Sequence, residues 1–239
     1  MIKKILSTLL VSSAFLVFAA TGTMADRPTF AIGYTAAYGG YAASGQENEG
    51  AASPQEIHKK TESGEYGHSS FFLEVGFADR ITVGASWMAD AVETEMSSRT
   101  DSLCSNAVND ETTINCPITG NTGTSTVKAE FSNLVVGYVE VNIWNGLYAK
   151  YGIMEMDVDT KESLHTDSAY PNATMDGTTY GLGWKGSFDN GVFIKTETLM
   201  QDWSDIKLEA IGSTGTDNNN SITASLQGAV ATISIGKAF

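Results

Sequence analysis

Residue-by-residue alternation between bulky apolar and small or polar side chains, repeated in eight separate runs, most narrows what this chain can fold into. The second and third runs carry it most cleanly. Phe71, Leu73, Val75 and Phe77 alternate with Phe72, Glu74 and Gly76; Ala78, Asp79 and Arg80 turn the chain; then Ile81, Val83, Ala85 and Trp87 alternate with Thr82, Gly84 and Ser86. A period of two belongs to a strand, whose successive side chains point to opposite faces. With Phe77 and Ile81 flanking the turn, both apolar sets fall on one face, which gives the hairpin a single consistent register.

The other runs repeat the pattern. Phe30, Ile32, Tyr34, Ala36 and Tyr38 oppose Ala31, Gly33, Thr35, Ala37 and Gly39. Residues 127–143 and 147–156 flank a turn at Trp144, Asn145 and Gly146. With Ile143 opposite Leu147, one face collects Val135, Val139, Val141, Tyr151 and Ile153, while Leu134 and Val136 break the alternation and mark a bulge. Tyr180, Leu182, Trp184 and Phe188 lead into an Asp189-Asn190-Gly191 hairpin signal. After it, Ile194, Thr196, Thr198 and Met200 oppose Phe193, Lys195, Glu197 and Leu199. A last run starts near Ile222.

The connections alternate strictly between tight turns and long polar segments at 43–67, 91–126, 157–177 and 212–220. All the long loops then lie at one end of an up-and-down ring. That is the arrangement of a transmembrane barrel with short periplasmic turns and long extracellular loops. The face opposite the aromatics carries Glu74, Glu140, Lys150, Lys185, Lys195 and Glu197, which a soluble barrel for apolar ligands would not place in its interior.

The N-terminus fits such a destination. Lys3 and Lys4 precede an apolar run over 5–20 and small residues through Ala25, the layout of a cleavable secretory signal peptide over 1–25. No Cys stands near the cleavage point, which speaks against a lipoprotein. The expected mature domain is 26–239, with 12 basic against 28 acidic residues once Lys3 and Lys4 are removed. Such a balance excludes nucleic acid as a partner and a basic patch docking on anionic lipid.

The chain ends on a strand that returns to the opening pattern. Ala229, Ala231, Ile233 and Ile235 share a face running to Phe239, while Gly228, Thr232, Ser234 and Gly236 share the other. This alternating final strand with a terminal Phe resembles the C-terminal signature by which bacterial outer-membrane barrels are recognised for assembly. Lys237 stands where that family usually has an aromatic or apolar residue; a long Lys near the interface can snorkel to water. At the level of pattern the whole mature chain resembles the small eight-stranded outer-membrane barrels: the OmpA barrel domain, OmpX and OmpW. The resemblance implies an all-β fold, an eight-stranded antiparallel up-and-down transmembrane β-barrel in the bacterial outer membrane, preceded by the signal peptide. It also implies lipid and lipopolysaccharide as surroundings, the barrel assembly machinery as partner of Phe239, Ile235 and Ile233, and a monomer.

Several residue sets bear on function. In the register above Glu140 stands opposite Lys150, and Glu74, Lys185, Lys195 and Glu197 are candidates for the same interior layer. Charges in so narrow a bore must be paired, as a structural plug or as a gate. Cys104 and Cys116 are the only cysteines, twelve positions apart in a loop exposed to an oxidising compartment, and suggest a disulfide. His58, His68 and His165 fall in or beside the loops. His68 and Ser70 can be compared with the His-x-Ser pair of PagL-type lipid A deacylases, although the wider motif is absent. Acidic clusters at Asp157, Asp159, Glu162, Asp202 and Asp205 are solvated loop residues or, through divalent cations, contacts to lipid phosphates. The expectation is a non-enzymatic barrel with no cofactor and no bound metal. Its role is structural or surface-interactive through long acidic loops; narrow porin-like transport is the alternative and a lipid A hydrolase the third choice.

Overall fold

Backbone pairing closes the chain into a ring. The computed structural model describes residues 28–49, 56–77, 80–88, 90–102, 122–163, 169–211 and 221–239. The segment 1–25 expected to be a signal peptide, Cys104, Cys116, His165 and the polar segment 212–220 lie outside them. The strands are β1 (Thr29–Glu49), β2 (Glu56–Phe77), β3 (Ile81–Met88), β4 (Val92–Glu93), β5 (Ser97–Ser102), β6 (Thr122–Trp144), β7 (Leu147–Ser163), β8 (Ala173–Ser187), β9 (Val192–Trp203), β10 (Ile206–Glu209) and β11 (Ser221–Ala238). Every pairing is antiparallel. β4 and β5 continue the line of β3 along β6, and β10 continues β9 along β11, so the eleven strands make eight staves, with β11 closing onto β1.

The register fixes the barrel's dimensions. Following paired residues from Glu74 through Gly84, Tyr138, Gly152, Thr179, Gln201, Gly228 and Tyr41 leads back to β2 at Gly64, ten positions from the start. Eight staves with that stagger, spaced about 4.8 Å apart with a rise of about 3.3 Å per residue, tilt by roughly 40° and leave a backbone radius of about 8 Å. Such a bore is filled by its own side chains.

Inside, large and small residues interlock across neighbouring strands. Phe72 lies over Gly33, Tyr138 over Gly84, Tyr148 over Gly183, Tyr41 over Gly228 and Phe193 over Gly236, each a direct cross-strand pair. A methyl group added at Gly33, Gly84, Gly183, Gly228 or Gly236 would come within 2.2–2.4 Å of the opposing ring. The small residues of the inner face therefore exist to seat aromatic rings.

Outside, Phe30, Ile32, Tyr34, Phe71, Leu73, Trp87, Val139, Tyr151, Leu182, Trp184, Ile233 and Ile235 are all exposed and encircle the barrel. From Phe30 to Tyr38 the belt spans roughly 20 Å along the barrel axis at the tilt above, close to the apolar band of a transmembrane barrel. Phe239, Ile235 and Ile233 lie on this face, while Gly236 and Ser234 turn inward. Lys237 shares the outer face, and its Nζ donates to the Asn190 carbonyl at the rim, 2.7 Å away. The Lys is thus satisfied by the neighbouring turn.

Two sequence expectations need correction. Most of the described residues of the segments 43–67, 91–126 and 157–177 are strand: β1 runs on to Glu49, β2 starts at Glu56, β4 and β5 extend the third stave, and β7 and β8 reach Ser163 and Ala173. The reason is a phase reversal at the outer rim of the belt. On β7, Tyr151 and Ile153 face out, but beyond them Glu155, Asp157 and Asp159 take that face while Met154, Met156 and Val158 are buried inside. With Met88, Leu134, Met175 and Trp203 these form an apolar core within the barrel. Above the membrane the wall is built as a water-soluble barrel would be, which keeps its strands paired in solvent. Second, Trp144 rather than Ile143 pairs with Leu147. Asn145 and Gly146 both take positive φ, 46° and 82°, the two-residue hairpin turn that Asn-Gly favours, and Ile143 becomes a bulge. The irregularity expected near Leu134 is present between Ser132 and Val135, with Asn133 at φ 54°.

Candidate functional site

Five staves carry the sequence-singled charges into one interior layer. Glu74 comes from β2, Glu140 from β6, Lys150 from β7, Lys185 from β8, and Lys195 and Glu197 from β9. Each sits on the inward phase of its strand, and the tilt brings them to similar height. Lys195 is the centre. Its ammonium donates to Glu74 Oε1 at 2.5 Å and to Glu140 Oε1, and lies 3.9 Å from Glu197 Oε1. Lys150 donates to both Glu197 oxygens, at 2.9 and 3.1 Å, and stands 3.8 Å from Glu140. Glu140 and Lys150 are also direct cross-strand partners, as the sequence register requires. Lys185 closes the set at 3.8 Å from Glu74 Oε2.

Burial makes these contacts energetically weighty. The side chains of Lys195, Glu74, Glu140 and Glu197 are all below 5% exposed. A buried charge that loses its partner costs several kcal/mol, so three lysines against three glutamates form a balanced set. Two tyrosines complete it: Tyr138 donates to Glu74 and Tyr148 to Glu197, both at 2.8 Å, and Thr232 donates to the other Glu197 oxygen at 3.1 Å. Aromatic faces hold the cations, with Lys150 3.9 Å above the Tyr138 ring and Lys185 4.0 Å above Phe193. Tyr138 and Tyr148 escaped sequence reasoning, although a signal was there: each lies two residues from Glu140 or Lys150, on the same inward phase.

The rings of Phe72 and Phe193, 6.2 Å apart, flank the ionic layer, Phe193 on its periplasmic side with Ala31 and Phe72 on the other. His68 and Ser70 are neighbours on β2 and face the interior rather than the lipid, with His68 against the ring of Tyr66 at 5.6 Å. Tyr66 stacks on Tyr41, whose hydroxyl donates to Gln201 at 2.9 Å. Of the acidic clusters, Asp157 accepts from Asn133 and Thr174, and the Asp202 carboxylate lies 3.5 Å from the Tyr180 hydroxyl. Among the described residues no group of three or more His, Cys, Asp or Glu could hold a metal ion.

Higher on the outer wall a lattice of charges crosses β4, β6 and β7. Lys128 and Lys161 both bond Glu93, and Lys161 also bonds Glu130. The hydrogen bond from Lys128, reinforced by Lys161, holds the Glu93 carboxyl below its ordinary range, and Glu130 and Glu93 hold the Lys161 ammonium above its own.

No protein-family model matches the chain, and no curated protein matches it in sequence. Among solved structures it is similar to the outer membrane protein OprG of Pseudomonas aeruginosa, with 10% identity over 87% of this chain and 96% of that one and a TM-score of 0.44. The outer membrane protease OmpT of Escherichia coli shares 9% identity over 92% of this chain and 99% of its own, with a TM-score of 0.43. The outer membrane protein AlkL shares 8% over 87% and 90%, with a TM-score of 0.40. At these values the likenesses concern architecture alone. The ring closure and the apolar belt are the chain's own, and with them it has the architecture of a transmembrane β-barrel of eight staves.

Proposed function

We propose that the protein is a closed, non-enzymatic barrel with a structural and surface-interacting role, anchoring in the outer membrane a polar wall that stands above it. One observation carries this reading: the Lys195 ammonium lies across the bore between Glu74 and Glu140, buried on all sides. Aromatic rings flank it and an apolar core lies on its extracellular side, which supports a closed bore. Function then belongs to the exterior. Lipid and lipopolysaccharide surround the belt, and the acidic residues above it, among them Glu65, Asp90, Glu155 and Asp176, meet the polar headgroups or protein partners. The barrel assembly machinery reads Phe239, Ile235 and Ile233 on the closing strand, Cys104 and Cys116 tie one loop together, and the barrel is monomeric. His68 and Ser70 point into the bore, away from any lipid acyl chain, which argues against lipid A hydrolysis. The test is conductance of the purified, refolded protein in planar bilayers. The expected result is no unitary current across voltages and buffers; reproducible openings in independent preparations would overturn the closed-barrel reading in favour of transport.

A further inference from the structure

A chamber of about 50 Å³ lies on the barrel axis immediately to the extracellular side of the ionic layer, lined by side chains from all eight staves. Its walls are unusually rich in hydroxyls for a protein interior: Thr35, Ser70, Ser86, Thr179, Thr232 and Ser234 all border it. Some satisfy one another, as Thr35 and Ser234 do at 2.8 Å. Thr179 does not. It is 1% exposed, and its Oγ1 has no hydrogen-bond partner among the described residues; the His68 Nδ1 is in the same position at the chamber's outer end. Lys150 and Glu197 present their paired charges from the floor.

Three properties define what such a place takes. It offers donors and acceptors together, and buried hydroxyls without a partner are unfavourable, so the guest is polar. The ionic layer is already balanced, three lysines against three glutamates, so an ion entering would leave an uncompensated buried charge; the guest is neutral. A water needs about 10–15 Å³ of such space and two to four polar neighbours, so the volume suits about three or four waters and no sugar or organic metabolite. We infer that this chamber is a resident-water site: a small cluster of ordered waters bonds Thr179 Oγ1, the Ser70 and Ser86 hydroxyls and the Lys150–Glu197 pair, and hydrates the ionic layer from within. The barrel is then wet at its centre whether or not it conducts, so occupancy and closure are separate questions with separate experiments.

The test is water-selective nuclear Overhauser spectroscopy on methyl-labelled protein in lipid nanodiscs. Cross-peaks from long-lived water are expected at the Thr35, Thr179 and Thr232 methyls in the unaltered protein. Thr179→Val, which keeps the shape and removes the hydroxyl, should cause loss of the peaks at Thr35 and Thr232, while Thr179→Ser should keep them. Absence of water peaks at all three methyls in the unaltered, folded protein would overturn the inference. So would saturable, bromide-dependent shifts of the same methyls, which would identify an anion in the chamber instead. Both refuting results are read on the unaltered protein, so they hold even where a variant fails to fold.

Discussion

Replacing Lys195 by Met removes the one cation bonded to both Glu74 and Glu140 while keeping an unbranched side chain only one atom shorter. The neighbours that remain are farther away: Lys185 lies 3.8 Å from Glu74 and Lys150 3.8 Å from Glu140, against 2.5 Å for Lys195 to Glu74. At fixed dielectric the attraction at the longer distance is about two-thirds of that at the shorter one, so the loss is partly cushioned. Breaking a buried ion pair from one side costs about 3–5 kcal/mol, and the cushioning puts Lys195→Met near the lower end, about 3 kcal/mol. With a urea slope of about 2–3 kcal/mol/M, the unfolding midpoint should fall by roughly 1–1.5 M. The assay is urea unfolding in lipid vesicles, followed by tryptophan fluorescence. Adding Glu140→Gln to Lys195→Met removes the surplus carboxylate charge and should recover a large part of the loss, because the two positions are coupled rather than additive. If Lys195→Met shifts the midpoint no more than a surface substitution does, or if the second change makes matters additively worse, the balanced-layer argument fails.

Two further outcomes follow from other contacts. Gly183→Ala would place a methyl 2.4 Å from the Tyr148 ring, the residue whose hydroxyl holds Glu197; overpacking of this kind costs about 1–3 kcal/mol. The same unfolding assay should show it, and Gly183→Ala combined with Tyr148→Leu should be milder than Gly183→Ala alone if the ring is the obstacle. The extracellular lattice is pH-sensitive in a set direction. Glu93 has its carboxyl depressed in the folded state, so its contribution is present above the ordinary value of 4.5 and fades as pH falls through the lower, folded value. Amide exchange at Thr94, whose N–H donates to the Ala129 carbonyl, and at Ala129, whose N–H donates to the Thr94 hydroxyl, should therefore accelerate relative to the intrinsic rate on acidification. Glu93→Gln should remove that acceleration; its persistence would mean that the lattice does not hold this corner.

The parts of the fold that were legible in the sequence are those where one face meets lipid. Phe71 to Phe77 and Ile81 to Trp87 carry the alternation in a single phase, and the turn between them pairs Phe77 with Ile81 as expected. The ionic layer followed from the same phase, since inward positions among outward aromatics are few and the charges on them stand out. Strand length was not legible for a definite reason. Past Ile153 the period of two persists but its sense inverts, so a test for apolar-outside alternation ends where the membrane ends and reads the rest of β7 as loop. The Glu140–Lys150 pairing was found from an anchor one residue off, because the bulge at Ile143 falls between the turn and that pair and leaves the deeper register untouched. The tyrosines that orient the carboxylates were missed because tyrosine is ordinary on either face of such a barrel. Only its phase distinguishes Tyr138 and Tyr148 from Tyr151 and Tyr180.

The phase reversal on β7 also acts as a depth gauge. Sinking the barrel by one inward–outward repeat, about 5 Å along its axis at this tilt, would carry Glu155 and Asp176 toward hydrocarbon. Raising it by the same amount would put Tyr151, Ile153 and Tyr180 into water. Either displacement is opposed on several staves at once, because like-placed carboxylates ring the outer rim. The height at which the molecule rides is thus written into side-chain order rather than into strand length, and strands can be lengthened above the rim without moving the protein in the bilayer. A bilayer thicker or thinner than this belt must adapt to the barrel, so the surrounding lipid carries the strain of any mismatch.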